Sequence, residues 1–471
     1  MDPCSLQHAV SSASSGDQIW VQTGNYTVAT GNEVLFIDKS LLIIGGCVSD
    51  FSTCLPNTIP STNLDGQNSR RVVTIQGTMD VSVTMKNLTF NNGNATNVDT
   101  VSCPNDLNPV IPTSGCGGGL FGSTLLNLTI DNCRFTNNNA TLAASGVGYG
   151  GAILIDDTNF INFSNNLISN NTASVNGLGY GGGLYVHNNM ITSIFDHNTF
   201  DQNDCTMVNS SSMGCHAMFY DNELINFKNN ALTNGNSQPT LNIDGSAINF
   251  SDNSKFYLSN NTFEGQQGGS VISGAHTSVS FFSYVQRNKF WDNYVLDVVR
   301  LSGQLPAEIS NNFIGFSASG TRLDSNRGAL RTAISLTTTS RTNIYFNSIA
   351  KINRGVYANS DPDIYVKNNI FAFLTNEAIT STGTKIIDSN LFYQFVGGFT
   401  GTNAIINTVN PQFIDATSGN FHLQPGSGAI DQAIEGLSIL VDVDGDTRPI
   451  GIPDLGADEW SIKNYLSIIF R

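Results

Sequence analysis

NCRF (132–135), NNLI (165–168), HNTF (197–200), NNAL (229–232), NNTF (260–263) and RNKF (287–290) each set an asparagine or its neighbour just ahead of a large apolar residue. Their closing residues, Phe135, Ile168, Phe200, Leu232, Phe263 and Phe290, are 33, 32, 32, 31 and 27 residues apart. The pattern extends outward to NLTF (87–90), NNFI (311–314), NSI (347–349), NNIF (368–371) and SNLF (389–392). A period of this length marks a solenoid, in which each repeat buries its apolar face only by stacking on its neighbours. Short alternating runs such as Val81-Ser82-Val83-Thr84-Met85 and Asn159-Phe160-Ile161-Asn162-Phe163 make each repeat a coil of strands between Gly/Asn turns. Asparagine suits the corners, because it tolerates left-handed backbone and its amide can join a ladder along the stack.

One continuous solenoid accounts for all 471 residues without a boundary between globular domains. Charged residues make up 12%, about half the usual share, and the 21 Lys+Arg against 37 Asp+Glu leave a net charge of −16. Nucleic acid and anionic membrane are therefore poor partners. No apolar run is long enough for a membrane span. The eight cysteines all precede residue 216. Cys47 with Cys54, Cys103 with Cys116 and Cys205 with Cys215 bracket loop-like stretches and read as disulfide staples, hence an extracellular or cell-surface location. Zinc is the rival reading, but no pair has the two-residue gap of a metal knuckle. Cys4 and Cys133 are left unassigned. No signal peptide precedes Cys4, so residue 1 is expected to be a mature or trimmed end.

Leu6, Ala9, Val10 and Ala13 share one helical face, so residues 1–16 read as a helix capping the open end of the solenoid. Residues 17–408 read as its coils, 409–460 as C-terminal coils with a cap, and 461–471 as an apolar tail. Cys4-Ser5-Leu6 with Ala9, Gly16-Asp17-Gln18-Ile19, Gly24-Asn25-Tyr26, Leu41 to Gly46 and Leu64-Asp65-Gly66 resemble the opening of secreted bacterial β-helix proteins of the pectin-lyase-like superfamily. The other end carries Asn410-Pro411-Gln412-Phe413, Asn420-Phe421-His422-Leu423, Gly426-Ser427 with Ala429-Ile430-Asp431, Asp442 to Asp446 with Arg448-Pro449, and Asp454 to Glu459. These resemble the ending of choice-of-anchor Q proteins. The resemblance implies an all-β fold, a single right-handed parallel β-helix, and a surface address. Right-handedness also follows from the twist of parallel crossovers. It says little about activity, because one fold hosts lyases, hydrolases and adhesins.

Aligning glycine-led strands stacks Gly119 to Ser123, Ala152 to Asp156, Gly183 to His187, Ala217 to Asp221 and Ala247 to Ser251. Alternate residues share a face, so third and fifth positions are expected to point outward, in columns about 4.8 Å per coil. The third position gives an apolar stripe of Phe121, Leu154, Tyr185 and Phe219. The fifth gives Ser123, Asp156, His187, Asp221 and Ser251, followed by Thr124, Asp157, Asn188, Asn222 and Asp252. Rings stack on sugar faces while carboxylates and amides bind hydroxyls, so Phe121, Tyr185, Phe219, Asp157, Asn188 and Asn222 are the expected glycan contacts. Asp156, His187 and Asp221 are the candidate catalytic set. Alternatively, a loop covers the aromatics and the polar column only builds turns.

Lyases acting on uronates need a cation beside the anionic sugar. Between residues 87 and 227 the sole Lys or Arg is Arg134, so only calcium held by Asp156, Asp157 and Asp221 would rescue that chemistry. No other cofactor is expected, and Asp442 to Asp446 reads as a structural turn because Gly451 stands where a calcium loop needs glutamate. Arg300, Arg322, Arg327, Arg331, Arg341 and Arg354 form a later basic set, read as solvated corners. The leading expectation is a cell-surface scaffold or adhesin contacting polysaccharide or cell-surface glycan. The alternatives are a glycoside hydrolase or calcium-assisted lyase, and a structural protein that self-assembles through Tyr465 to Phe470.

Overall fold

The computed structural model describes residues 5–54, 62–96, 103, 115–143, 146–175, 177–205, 213–235, 245–277, 281–316, 331–360, 362–434, 436–448 and 452–461. Cys4, Arg322, Arg327 and the apolar hexamer 465–470 lie outside them. Among the described residues every long pairing is parallel and joins a strand to one in the next coil. One sheet runs along the solenoid with two strand columns, through pairings such as Leu120↔Ile153↔Leu184 and Asn162↔Ile194↔Asn226. A second sheet of 14 short strands carries the NxxF segments, with Phe90, Phe135, Ile168, Phe200, Leu232 and Phe263 in one register column. The chain is thus an all-β parallel β-helix of three-sided coils, as expected. Side chains of that column fill its axis, with Phe90 and Phe135 stacked at 4.3 Å and Phe263 and Phe290 at 4.8 Å.

Each Asn-Asn corner divides two tasks between two residues. Asn132, Asn165, His197, Asn229, Asn260, Arg287, Asn311, Asn368 and Ser389 adopt positive φ and turn the chain. The following residue turns inward, and from Asn166 through Asn198, Asn230, Asn261, Asn288, Asn312, Asn347 and Asn369 to Asn390 the buried amides form one continuous ladder. From Asn198 on, each Oδ1 accepts from the backbone N–H and the amide of the coil before, as Asn198 does from Asn166 at 3.0 Å each. Buried amides are tolerated here because both ends are satisfied.

Cys133 occupies the ladder position one coil ahead of Asn166. Its N–H donates to Asn166 Oδ1 at 2.8 Å and its thiol lies 3.7 Å from Met85 O, where the ladder amides reach the equivalent carbonyl. Burial pushes the thiol pKa up to about 12, consistent with an inert packing role. Cys133→Asn is expected to add a rung and raise stability by about 1 kcal/mol. A lower urea midpoint for this variant would show that this coil lacks room for the amide.

Helix Leu6–Ser12, with Ser5 capping its N-terminus, buries Leu6 and Val10 against the first coil. Gln7 pairs with the edge strand Glu33–Ile37 as another strand would, its Nε2 donating to Phe36 O at 3.1 Å and its Oε1 accepting from Phe36 N at 2.7 Å. This blunts the open edge, the capping expected of it. Disulfides Cys47–Cys54, Cys103–Cys116 and Cys205–Cys215 are all present. Among the described residues no helix is long and apolar enough to cross a membrane.

Residues 409–460 depart from expectation. Instead of adding coils they form a short antiparallel pair, Phe413–Asp415 with Asn420–Leu423, and pack against the flank of the solenoid. The reason lies in the 14-stranded sheet, whose outward positions become apolar at Phe313, Ile370 and Leu391 and must be covered by Phe413, Phe421, Leu423 and Leu455. Asp442 ends in a turn, Oδ1 accepting from Asp444 N at 2.9 Å and Asp446 N at 2.8 Å, the structural turn read from the sequence.

Candidate functional site

The expected aromatic stripe is interior. Phe121, Leu154 and Tyr185 do stack in register, but each is at most 2% exposed. A second layer, strands Gly115–Cys116, Gly148–Tyr149 and Gly179–Tyr180, lies over them. Tyr149 meets Tyr185 edge-on at 5.5 Å and stacks on Tyr180 at 5.4 Å. Burial pushes the Tyr185 phenol well above its ordinary pKa. The buried Arg71 guanidinium ties the layer down, donating to Cys116 O at 2.9 Å and Gly117 O at 3.0 Å, 5.1 Å above the Phe121 ring. The signal for this cover was present as Gly115-Cys116-Gly117-Gly118, Gly148-Tyr149-Gly150-Gly151 and Gly179-Tyr180-Gly181-Gly182. Gly150 turns the chain back at φ +61, where a Cβ would lie 2.1 Å from Ile153 O.

Phe219 is not in the stripe at all. Tyr185 pairs with Met218 and His187 with Tyr220, one residue off the alignment drawn from sequence. His216 takes the place of the small leading residue, so Ala217 and Phe219 face the core. A one-residue slip exchanges the faces of a whole strand. The polar column is therefore Ser123, Asp156, His187, Tyr220 and Ser251. His187 Nδ1 meets Asp156 Oδ1 at 2.6 Å, and its ring stacks on Tyr220 at 5.6 Å. Both members of that pair are buried. Asp221 instead is exposed and turns a corner at φ 54, and Asp157 and Asn188, both half-buried, turn the equivalent corners at φ 48 and 50. Asn222 is buried in a second amide ladder between Asn189 and Asn253. The structure thus brings Asp156 and His187 together but leaves Asp221 out. The expected calcium ligands also diverge, Asp156 toward His187 and Asp157 toward Asn188.

Open polar space lies on a different face. A groove of about 660 Å³ runs across the outward side of the 14-stranded sheet and round its next corner. Strands Thr199–Asp201, Ala231–Thr233 and Thr262–Glu264 put Asp201, Thr233 and Glu264 in one register column. Asp201 Oδ1 accepts from Thr233 Oγ1 at 2.6 Å and from Asn234 Nδ2 at 3.1 Å. The Tyr294 hydroxyl donates to Asp292 Oδ2 at 3.2 Å. Glu264 and Asn234 are exposed. Arg331 stands at the far end, over the Phe316 ring at 4.0 Å and the Tyr294 ring at 5.8 Å, and burial pushes its pKa down. Arg341 and Arg354 likewise lie over Tyr365 and Tyr357. Arg331 and Arg354 are thus half-buried against rings, contrary to the expectation of solvated corners, whereas Arg341 is exposed as expected. The groove was missed in the sequence because the NxxF segments register first as core markers. The residue after each apolar one (Asp201, Thr233, Glu264) points out of the same strand.

No protein-family profile matches the chain, and no curated protein matches it. Among solved structures, one described as "Crystal structure of pectate lyase Pel9A" aligns over 96% of this chain and 98% of its own, at 11% identity and a TM-score of 0.33.

Proposed function

We propose that this protein is an extracellular or cell-surface β-helix scaffold, adhesin-like in role, that contacts glycan in the Asp201–Glu264–Tyr294 groove. The observation that carries the reading is the open groove itself, lined by hydroxyl-binding carboxylates and amides with a tyrosine ring at one side. The disulfides support an oxidising compartment. Asp201, Glu264 and Asp292 repel uronates, so the ligand is a neutral or amino-bearing polysaccharide rather than a polyuronate.

Binding measured by titration calorimetry against neutral and acidic plant, algal and bacterial glycans tests this. Glu264→Gln and Tyr294→Ala are each expected to weaken binding of a neutral glycan by about 1–3 kcal/mol. Tyr185→Ala, with its ring in the covered layer, leaves the affinity of the folded protein unchanged. Full affinity in both groove variants would retire the site.

One observation also favours a hydrolase in the same place. Asp201 and Glu264 sit two coils apart, so their Cα atoms are about 9.6 Å from each other at two strand spacings. The inverting arrangement needs the carboxyl groups themselves about 6.5–9.5 Å apart, a separation within reach of two side chains carried at this backbone spacing on either side of Thr233. New reducing ends in a glycan panel, abolished by Asp201→Asn, would establish it, and an unsaturated product would point to elimination instead.

A further inference from the structure

Three pieces of the C-terminal segment bring one imidazole and two carboxylates to a single point. His422 comes from strand Asn420–Leu423, Asp444 from the 442–446 turn and Asp458 from the ending at 454–459. His422 Nδ1 lies 2.8 Å from Asp458 Oδ1 and 3.4 Å from Asp444 Oδ2, and the three donor atoms are all within 4.8 Å of one another. The remaining oxygen of each carboxylate is held from outside the cluster. Asp458 Oδ2 accepts from Leu423 N at 2.7 Å, and Asp444 Oδ1 accepts from Lys289 Nζ at 3.1 Å. Phe313 stands edge-on to the imidazole at 4.9 Å and limits its rotation. Asp458 is largely covered, whereas the Asp444 side chain is 39% exposed, which leaves a side open to water.

Such oriented ligands resemble a first coordination shell whose outer partners are already in place. A nitrogen donor beside two oxygens suits a transition ion such as zinc better than calcium, which takes oxygen almost exclusively. We propose that His422, Asp444 and Asp458 form a divalent transition-metal site that clasps three pieces of the C-terminal segment together on the flank of the β-helix. The imidazole offers the Nδ1 lone pair to the ion with its N–H on Nε2, and water completes the shell on the open side. Lys289 is the opposing element, because its ammonium sits beside the ion and lowers affinity. The inference is independent of the glycan groove.

The test is titration calorimetry of the chelator-stripped, intact protein with zinc chloride, with calcium chloride in parallel, followed by thermal melts. One zinc per chain is expected, with a rise in melting temperature that calcium does not give. His422→Ala and Asp444→Asn should each weaken zinc at least about tenfold. Lys289→Gln should tighten it, a change that a purely structural salt bridge does not predict. The half-exposed Asp444→Asn variant keeps the test decisive if His422→Ala fails to fold. Absence of one-to-one zinc binding, or binding indifferent to both Asp444→Asn and Lys289→Gln, overturns the site.

Discussion

Arg448→Met is expected to loosen the C-terminal segment from the flank of the β-helix at a cost of about 3–5 kcal/mol, the scale for removing one partner of a buried ion pair. Arg448 is only 5% exposed. Its Nη1 donates to Glu459 Oε2 at 2.8 Å, and its Nη2 to Gly456 O at 2.8 Å and to Asn311 Oδ1 at 2.9 Å. The last bond crosses from the segment to a coil corner, and the guanidinium also lies 4.1 Å over the Phe346 ring of the next coil. Methionine keeps the packing and deletes every one of those donors. Glu459 then remains buried without a cation.

That loss carries a pH signature. Burial already pushes the Glu459 carboxyl from 4.5 up to about 7, with Arg448 acting in the opposite direction. A folded-state pKa above the unfolded one means stability falls as pH rises from the lower value through the higher. Without Arg448 the window extends further upward, so the variant is destabilised more at about pH 8 than at about pH 5. Hydrogen exchange across 413–460, with urea melts at both pH values, checks this. Unchanged protection, or a loss of stability equal at both pH values, would mean that the ion pair does not hold the segment.

What was legible in the sequence was whatever repeats locally. The NxxF period disclosed the coils because each Phe135-type residue meets its counterpart one coil away, and the Asn corners disclosed the turns. The short cysteine pairs were readable for the same reason. What was hidden depends on residues brought together across many coils or from another layer. Nothing around Tyr185 says that Tyr149 will lie over it, and nothing around Phe313 says that Phe421 will. An outward ring therefore reads as a binding surface until its cover is known. His216 shows a second limit, since one bulky residue in a small position hides the true register, in which Phe219 faces inward and Asp221 stands at a corner. The groove was lost differently, because its carboxylates sit on strands only three residues long whose apolar centre dominated the pattern.

Two adjacent asparagines should differ severalfold in what they contribute. Asn261→Ala is expected to cost about 3–5 kcal/mol and Asn260→Ala only about 1 kcal/mol. Asn260 is exposed and turns the corner at φ 58, so alanine there adds mainly the strain of a left-handed Cβ. Asn261 is 1% exposed and stands in the middle of the ladder. Its amide donates to Asn288 Oδ1 and to Phe227 O at 3.0 Å each, while its Oδ1 accepts from Asn230 N at 2.8 Å and Asn230 Nδ2 at 3.1 Å. Alanine strands the Asn230 backbone N–H in a place that water does not reach, at about 1–3 kcal/mol, and takes one donor away from the Phe227 carbonyl. A cavity adds to this. Asn261→Asp is no remedy, because a second oxygen would face the Phe227 carbonyl and the Asn288 oxygen where the amide now donates. Urea midpoints of the three variants decide the matter. If Asn261→Ala is no worse than Asn260→Ala, the ladder follows from the coil geometry and does not hold it together. If Asn261→Asp matches the parent, a carboxyl proton has replaced the amide donor, and that stability must then vanish as pH rises above the carboxyl range.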